Sequence, residues 1–245
     1  MSTKFKLPTE TVVLPSKGLL YPEDSPLSKG ELEMKYMTAK EEDILTNSNY
    51  INNGTVIDKL LESLIVTENV NYNDLLIGDK NAIMIAARIL AYGKDYPVRY
   101  RGNDIMVDLS KLNEKDIDLD LLKEGKNEFK FTMPKSGVVV TYKILTHADE
   151  KAIEEELSGL AKIDPEGNSE VTTRLKFCIT SVEGSKQSAD IRNYVDNYLL
   201  ASDARAFRDQ ILKVSPDIDM IYYPEDGPAG GVDIPIGVGF FWPKF

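Results

Sequence analysis

The residues able to do chemistry are few and far apart. His147 is the one histidine, and an imidazole titrating near neutrality could serve as a general base. It falls at a helix start with no Ser or Cys nucleophile pattern beside it, which favours a cap or surface role. Cys178 is the one cysteine. A thiolate there could be a nucleophile, but the residue lies beside Ile179 on an apolar helical face and reads as a core thiol. Ser16-Lys17 has the composition of a nucleophile–base pair. Adjacent side chains of an extended segment point apart, so a turn fits better. Asp116, Asp118 and Asp120 begin a calcium-loop spacing. Leu121 then stands where that loop needs glycine, and Asn127 where it needs a bidentate Glu.

Phosphate chemistry fares no better. Gly93-Lys94 and Gly125-Lys126 lack the upstream glycine and the following Ser or Thr of a phosphate-cradling loop. Gly237 and Gly239 imitate a dinucleotide fingerprint without its third glycine or a following helix. A glycine-kinked strand is the simpler reading. Glu154, Glu155 and Glu156 wrap too far around a helical turn to act as a carboxylate pair, and read as a solvated face. No catalytic residue, cofactor-binding residue, metal ligand or cofactor is expected.

The aromatic residues near the C-terminus remain. FFWPKF places Phe240, Phe241, Trp242 and Phe245 within six residues, with Tyr222 and Tyr223 ahead of a Gly/Pro loop. Aromatic side chains bury large area and dominate interface energetics. Here they either dock back on the fold as a terminal strand or anchor a partner. Tyr222, Tyr223, Phe240, Phe241 and Trp242 are the candidate interface.

The elements that position these residues follow from periodicity. A short extended run at Thr11 to Leu14 leads into the Ser16-Lys17-Gly18 turn. Leu32, Met34 and Tyr36 alternate as a half-buried strand. Val56, Ile57, Leu60, Leu61, Leu64 and Ile65 share one helical face behind a Thr55 cap. The run AIMIAARILAY, with Arg88 its only charge, predicts a buried helix from near Asp79 to Gly93. Two hairpins follow. One turns at RGND between Val98 and Leu109, the other at PKSG between Phe129 and Ile144. After Thr146, which with Asp149 resembles a capping box, four helices are expected. The second takes in Leu175, Cys178, Ile179 and Val182; Ser188 and Ser202 cap the third and fourth. The class is α+β: N-terminal strands and helices with two β-hairpins, then a C-terminal helical region closed by a terminal strand. The expected division is an α+β domain over 1–146 and a mainly helical domain over 147–245.

Composition narrows the function. The 245 residues carry 29 Lys+Arg against 40 Asp+Glu, a formal net charge of -11. Phosphate affinity comes from clustered Lys and Arg, so a nucleic-acid partner is not expected, nor an anionic membrane surface. No stretch approaches the roughly 20 apolar residues of a membrane span. MSTKFKLPTETVVL lacks the apolar core of a secretory leader, so an intracellular protein is expected.

Three segments carry a family resemblance: LPSKGLLYP at 14–22, GDKNAIMIAARILAYGKDY at 78–96, and the stretch ending in FFWP. With YMTAKEEDIL at 36–45 and ASDARAFRDQI at 201–211, they resemble the baseplate hub assembly proteins of T-even-type tailed bacteriophages. The family's SKG motif matches Ser16, Lys17 and Gly18; its GD-[KR]-NAI motif matches Gly78, Asp79, Lys80, Asn81, Ala82 and Ile83. The resemblance implies a non-enzymatic morphogenesis protein that helps build the hub by contact with other baseplate or tail hub proteins. It places the chain in the host cytoplasm during assembly, with the virion baseplate as a further location. Relatives carry a CxxC zinc-ribbon-like loop after the YG-x-x-Y element, whereas Val98 to Asp104 holds no cysteine, so a metal site is not carried over. The alternative in the same setting is a tail-associated hydrolase using paired carboxylates. It needs one acid of raised pKa in a cleft, and no residue announces one.

Overall fold

The computed structural model describes residues 7–122, 125–223 and 231–241. The fold is α+β, with eight α-helices and small antiparallel sheets among the described residues. β1 (Thr9–Val13) pairs with β2 (Glu31–Lys35), Val12 facing Leu32. Leu32 and Met34 of β2 turn inward, as their alternation requires. Two short helices not expected from periodicity follow, α1 (Ala39–Leu45) and α2 (Ser48–Asn52). A capping box between Thr38 and Glu41 starts α1. The amphipathic α3 (Val56–Leu64) buries Val56, Leu60, Leu61 and Leu64.

α4 (Ile77–Tyr92) is the buried central helix. It begins two residues before the expected Asp79, because the Ile77 N–H donates to the Leu145 carbonyl and the chain enters extended at Leu76. Arg88 is buried inside it. Its guanidinium donates to the Gly93 carbonyl and lies over the rings of Tyr92 and Tyr96. That cation–π setting offsets its burial, which lowers its pKa.

Both hairpins form. β3 (Asp95–Tyr100) and β4 (Asn103–Asp108) meet through Arg101 and Gly102, both at positive φ. Such a two-residue turn matches the right-handed twist of its strands. β5 (Phe129–Thr132) pairs with β6 (Val139–Tyr142), Phe131 facing Val140. The C-terminal helices are α5 (His147–Ile163), α6 (Glu170–Cys178), α7 (Ser188–Asn197) and α8 (Ala201–Val214). Gln187 and Leu200 occupy the cap positions of α7 and α8, and Ser188 and Ser202 lie inside them.

One expectation is corrected. Ile179 and Val182 do not continue α6; they belong to β7 (Ile179–Val182), which adds to β6 as the third strand of a sheet. Ile179 turns extended, and the hydroxyls of Thr180 and Ser181 hydrogen-bond Thr141 across the pair. The terminal strand is short among the described residues. A two-residue ladder joins β8 (Ile221–Tyr222) to β9 (Val232–Asp233), and Val238–Phe241 is a 3-10 turn. The β6–β7 pairing and the hydrogen bond from the His147 N–H to the Leu75 carbonyl both cross the boundary expected at residue 146. One connected apolar cluster runs from Leu14 to Phe241. No helix among the described residues is long and apolar enough to cross a membrane.

Candidate functional site: the junction at the first turn of α4

The seven motif residues come together around one helical turn. Ser16, Lys17 and Gly18 form a tight turn in which the Lys17 N–H donates to the Leu14 carbonyl. Lys17 and Gly18 both have positive φ. At Gly18 a Cβ would also lie 2.6 Å from the Gly30 nitrogen, so only glycine fits. The turn aims Ser16 at Asp79, 63 residues on. Asp79 has no solvent exposure and accepts three hydrogen bonds. They come from the Ser16 N–H at 2.9 Å, the Ser16 hydroxyl at 2.7 Å and the Tyr21 hydroxyl at 2.6 Å. The Tyr21 oxygen in turn accepts from the Leu76 N–H at 2.9 Å. Burial pushes the Asp79 carboxyl above the usual range, although its donors pull it back. The Tyr21 phenol is raised by burial and then by the Asp79 charge.

The neighbours of Asp79 leave the helix in other directions. Gly78 touches backbone: a Cβ there would collide with the Pro216 carbonyl and reach 2.7 Å from the Asp217 Cα. Asn81 Nδ2 donates to Asp217 Oδ1 at 2.8 Å, and Lys115 pairs with the other oxygen of Asp217. Lys17 reaches across to Glu114. Gly78, Asp79 and Asn81 therefore fasten two separate segments of chain to α4, one at Ser16–Tyr21 and one at Pro216–Asp217.

Lys80 enters a charged cluster. Its ammonium donates to Asp58 Oδ1 and to His147 Nδ1, each at 3.0 Å. An ammonium only donates, so Nδ1 is the acceptor and the ring proton sits on Nε2, which faces Asp58 Oδ2 at 3.3 Å. The Tyr72 hydroxyl also donates to Asp58, and its ring meets the imidazole edge-on at 4.6 Å. Burial raises the Asp58 pKa, but His147 and Lys80 outweigh it and hold the carboxyl well below its ordinary range. The cluster forms one wall of a cleft of about 790 Å³ whose rim includes Glu154 and Glu155. Both imidazole nitrogens are engaged, so this histidine positions α5 against α3 and α4 in place of the cap or surface role expected for it.

The other sequence candidates are dispersed. Burial pushes the Cys178 thiol to about 12, a core thiol with little thiolate. Phe240 and Phe241 are buried and are corrected as exposed anchors. The Phe240 ring packs on Tyr96 at 5.0 Å and meets Phe241 at 5.3 Å, docking the end of the described chain on its own fold. Tyr222 is half-buried and Tyr223 is 61 % exposed. Trp242 lies outside the described residues.

Sequence reasoning missed Tyr21, Asp58, Tyr72 and Asp217, which complete the junction. It also missed Asp203, a buried carboxylate on α8 that accepts from the Lys135 and Ser136 N–H groups and fixes the PKSG turn. Asp203 two residues into an amphipathic run was the one available signal, since a helical first-turn acid has an N–H-rich neighbourhood. No family model, no curated protein and no solved structure matches this chain.

Proposed function

We propose that the protein is a non-enzymatic morphogenesis factor that acts by protein–protein contact in assembling the baseplate hub of a T-even-type phage tail. The observation that carries this reading is the meeting of the two motifs behind the resemblance. SKG and GDKNAI are far apart in sequence, yet Ser16 and Asp79 are locked together in the core. The matched residues thus behave as one unit whose job is to hold a shape, as an interaction protein requires. The partners are other hub or tail proteins, met in the host cytoplasm, with retention in the virion baseplate as a further possibility of the same role. The hydrolase alternative receives no support from Asp79. It is a carboxylate of raised pKa, but it is sealed from solvent behind Ser16 and Tyr21 and out of reach of a glycan.

The test is infection with phage lacking this chain. Hubs and baseplates should fail to form, and a tagged copy supplied in trans should restore them while co-purifying with hub proteins. Normal hubs in its absence would end the proposal. Probing purified virions for the tag then separates a transient factor from a structural part.

A further inference from the structure

A groove between α6 and α8 opens beside the junction, sharing Gly78, Lys115 and Asp217 with it, and reaches neither Asp79 nor Asp58. It encloses about 440 Å³, within the size range of sites that take a ligand or a partner's anchoring side chain. Its lining includes Ile144, Leu175, Cys178 and Ile211. The apolar surface does not stop at the mouth. Leu212 on α8 is 62 % exposed and Val171 on α6 is 47 % exposed, and both line the opening. A small molecule would fill the hollow and leave these flanks wet. A protein segment covers both.

The charges at the rim say what kind of segment. Arg174 is held by both oxygens of Glu150 and, through Nε, by Glu170, and Lys115 is held by Asp217, so the rim carboxylates are all engaged. Arg208 also lines the groove, is exposed, and has no ion pair or hydrogen bond among the described residues. Arg205, Arg208 and Leu212 follow a spacing of three and four, which puts them on one stripe of α8. An uncommitted guanidinium beside an apolar opening is complementary to a carboxylate beside a bulky apolar side chain. The net charge of -11 gives an acidic segment no long-range attraction, so its affinity must come from contact.

We propose that this groove docks a short segment of a partner protein, which inserts a bulky apolar side chain between α6 and α8 and sets a carboxylate against Arg208. The inference rests on the assembly reading for the partner's biological identity and names that partner's chemistry.

The experiment selects a random peptide display library on the immobilised full chain. Enriched peptides are synthesised and titrated by fluorescence anisotropy against the wild type, Leu212→Glu, Arg208→Glu and Arg208→Lys. These are exposed positions, so the melting curves should coincide. The expected peptides carry Leu, Ile, Met or Phe next to Asp or Glu. Their Kd should rise at least tenfold in Leu212→Glu and in Arg208→Glu, with partial recovery in Arg208→Lys. Enrichment of no sequence, or of uncharged or basic ones, overturns the proposal, as does unchanged affinity in both charge-altering variants. A wild-type dimer in sedimentation that Leu212→Glu dissolves would assign the groove to a second copy instead. A small apolar molecule that co-purifies with the wild type and is lost in Leu212→Glu, read by native mass spectrometry, would assign it to a ligand; either result overturns the partner segment. Normal hubs without this chain would sink the assembly reading while leaving the peptide result standing.

Discussion

Asp79 and Asp58 both fasten the start of α4, and their carboxyl groups are displaced in opposite directions. Asp79 meets neutral donors only, one amide and two hydroxyls, and has no solvent exposure. Desolvation wins there and the acid form is favoured. Asp58 pays the same kind of desolvation cost but faces the Lys80 ammonium and the His147 ring at the edge of an open cleft. Opposite charge wins there and the carboxylate is favoured. A dry cage of neutral donors specifies geometry, because each donor is stranded if the acceptor leaves. A charged cluster at a cleft tolerates water and contributes through charge.

Removing the two acceptors should therefore differ most. Asp79→Ala strands three buried donors, and should cost about 3 kcal/mol or more in urea unfolding. A loss below about 1 kcal/mol would mean the cage is not closed to water. Gly78→Ala comes next. Its methyl group meets the backbone of Pro216 and Asp217, so repacking should cost about 2 kcal/mol. An unchanged melting temperature would show that the segment at Pro216 can move away. Asp58→Asn should cost about 1–2 kcal/mol at pH 7, since water can enter the cleft and hydrate what is left.

The sign of the pH dependence sharpens the contrast. The Asp58 pKa is lowered, so its contribution is present above the unfolded value of about 3.9 and is lost as pH falls. The Asp79 pKa is raised, so its contribution is complete below about 3.9 and is lost as pH rises through the folded pKa. The stability gap between wild type and Asp58→Asn should grow from pH 3 to pH 6, and the gap to Asp79→Asn should shrink over the same interval. Parallel slopes would remove the distinction. The smallest effect belongs to the exposed Lys59–Glu62 pair, where Lys59→Ala should change stability by no more than about 0.5 kcal/mol.

Much of the local structure was legible. RGND and PKSG close hairpins because alternation on both arms leaves one register that buries a single face. The apolar run of α4 is buried, as a helix apolar nearly all round must be. Ile179 to Val182 was misread because Leu175, Cys178, Ile179 and Val182 also satisfy helical spacing, and a four-residue strand is too short for periodicity to separate. Phe240 and Phe241 could be placed only as apolar; Tyr96, the ring partner of Phe240, is more than 140 residues earlier.

By itself the sequence determined which faces are apolar, and where turns fall, Gly18 among them. These are consequences of side-chain period, of glycine's missing Cβ and of short-range hydrogen bonding. Only the tertiary structure decided that Ser16 and Tyr21 cap Asp79, that Lys80 and His147 share Asp58, and that Arg208 is left beside an apolar groove. The physical reason is range. A hydrogen bond is decided within about 3 Å, and nothing in a linear pattern says which distant donor will be brought that close once the helices pack.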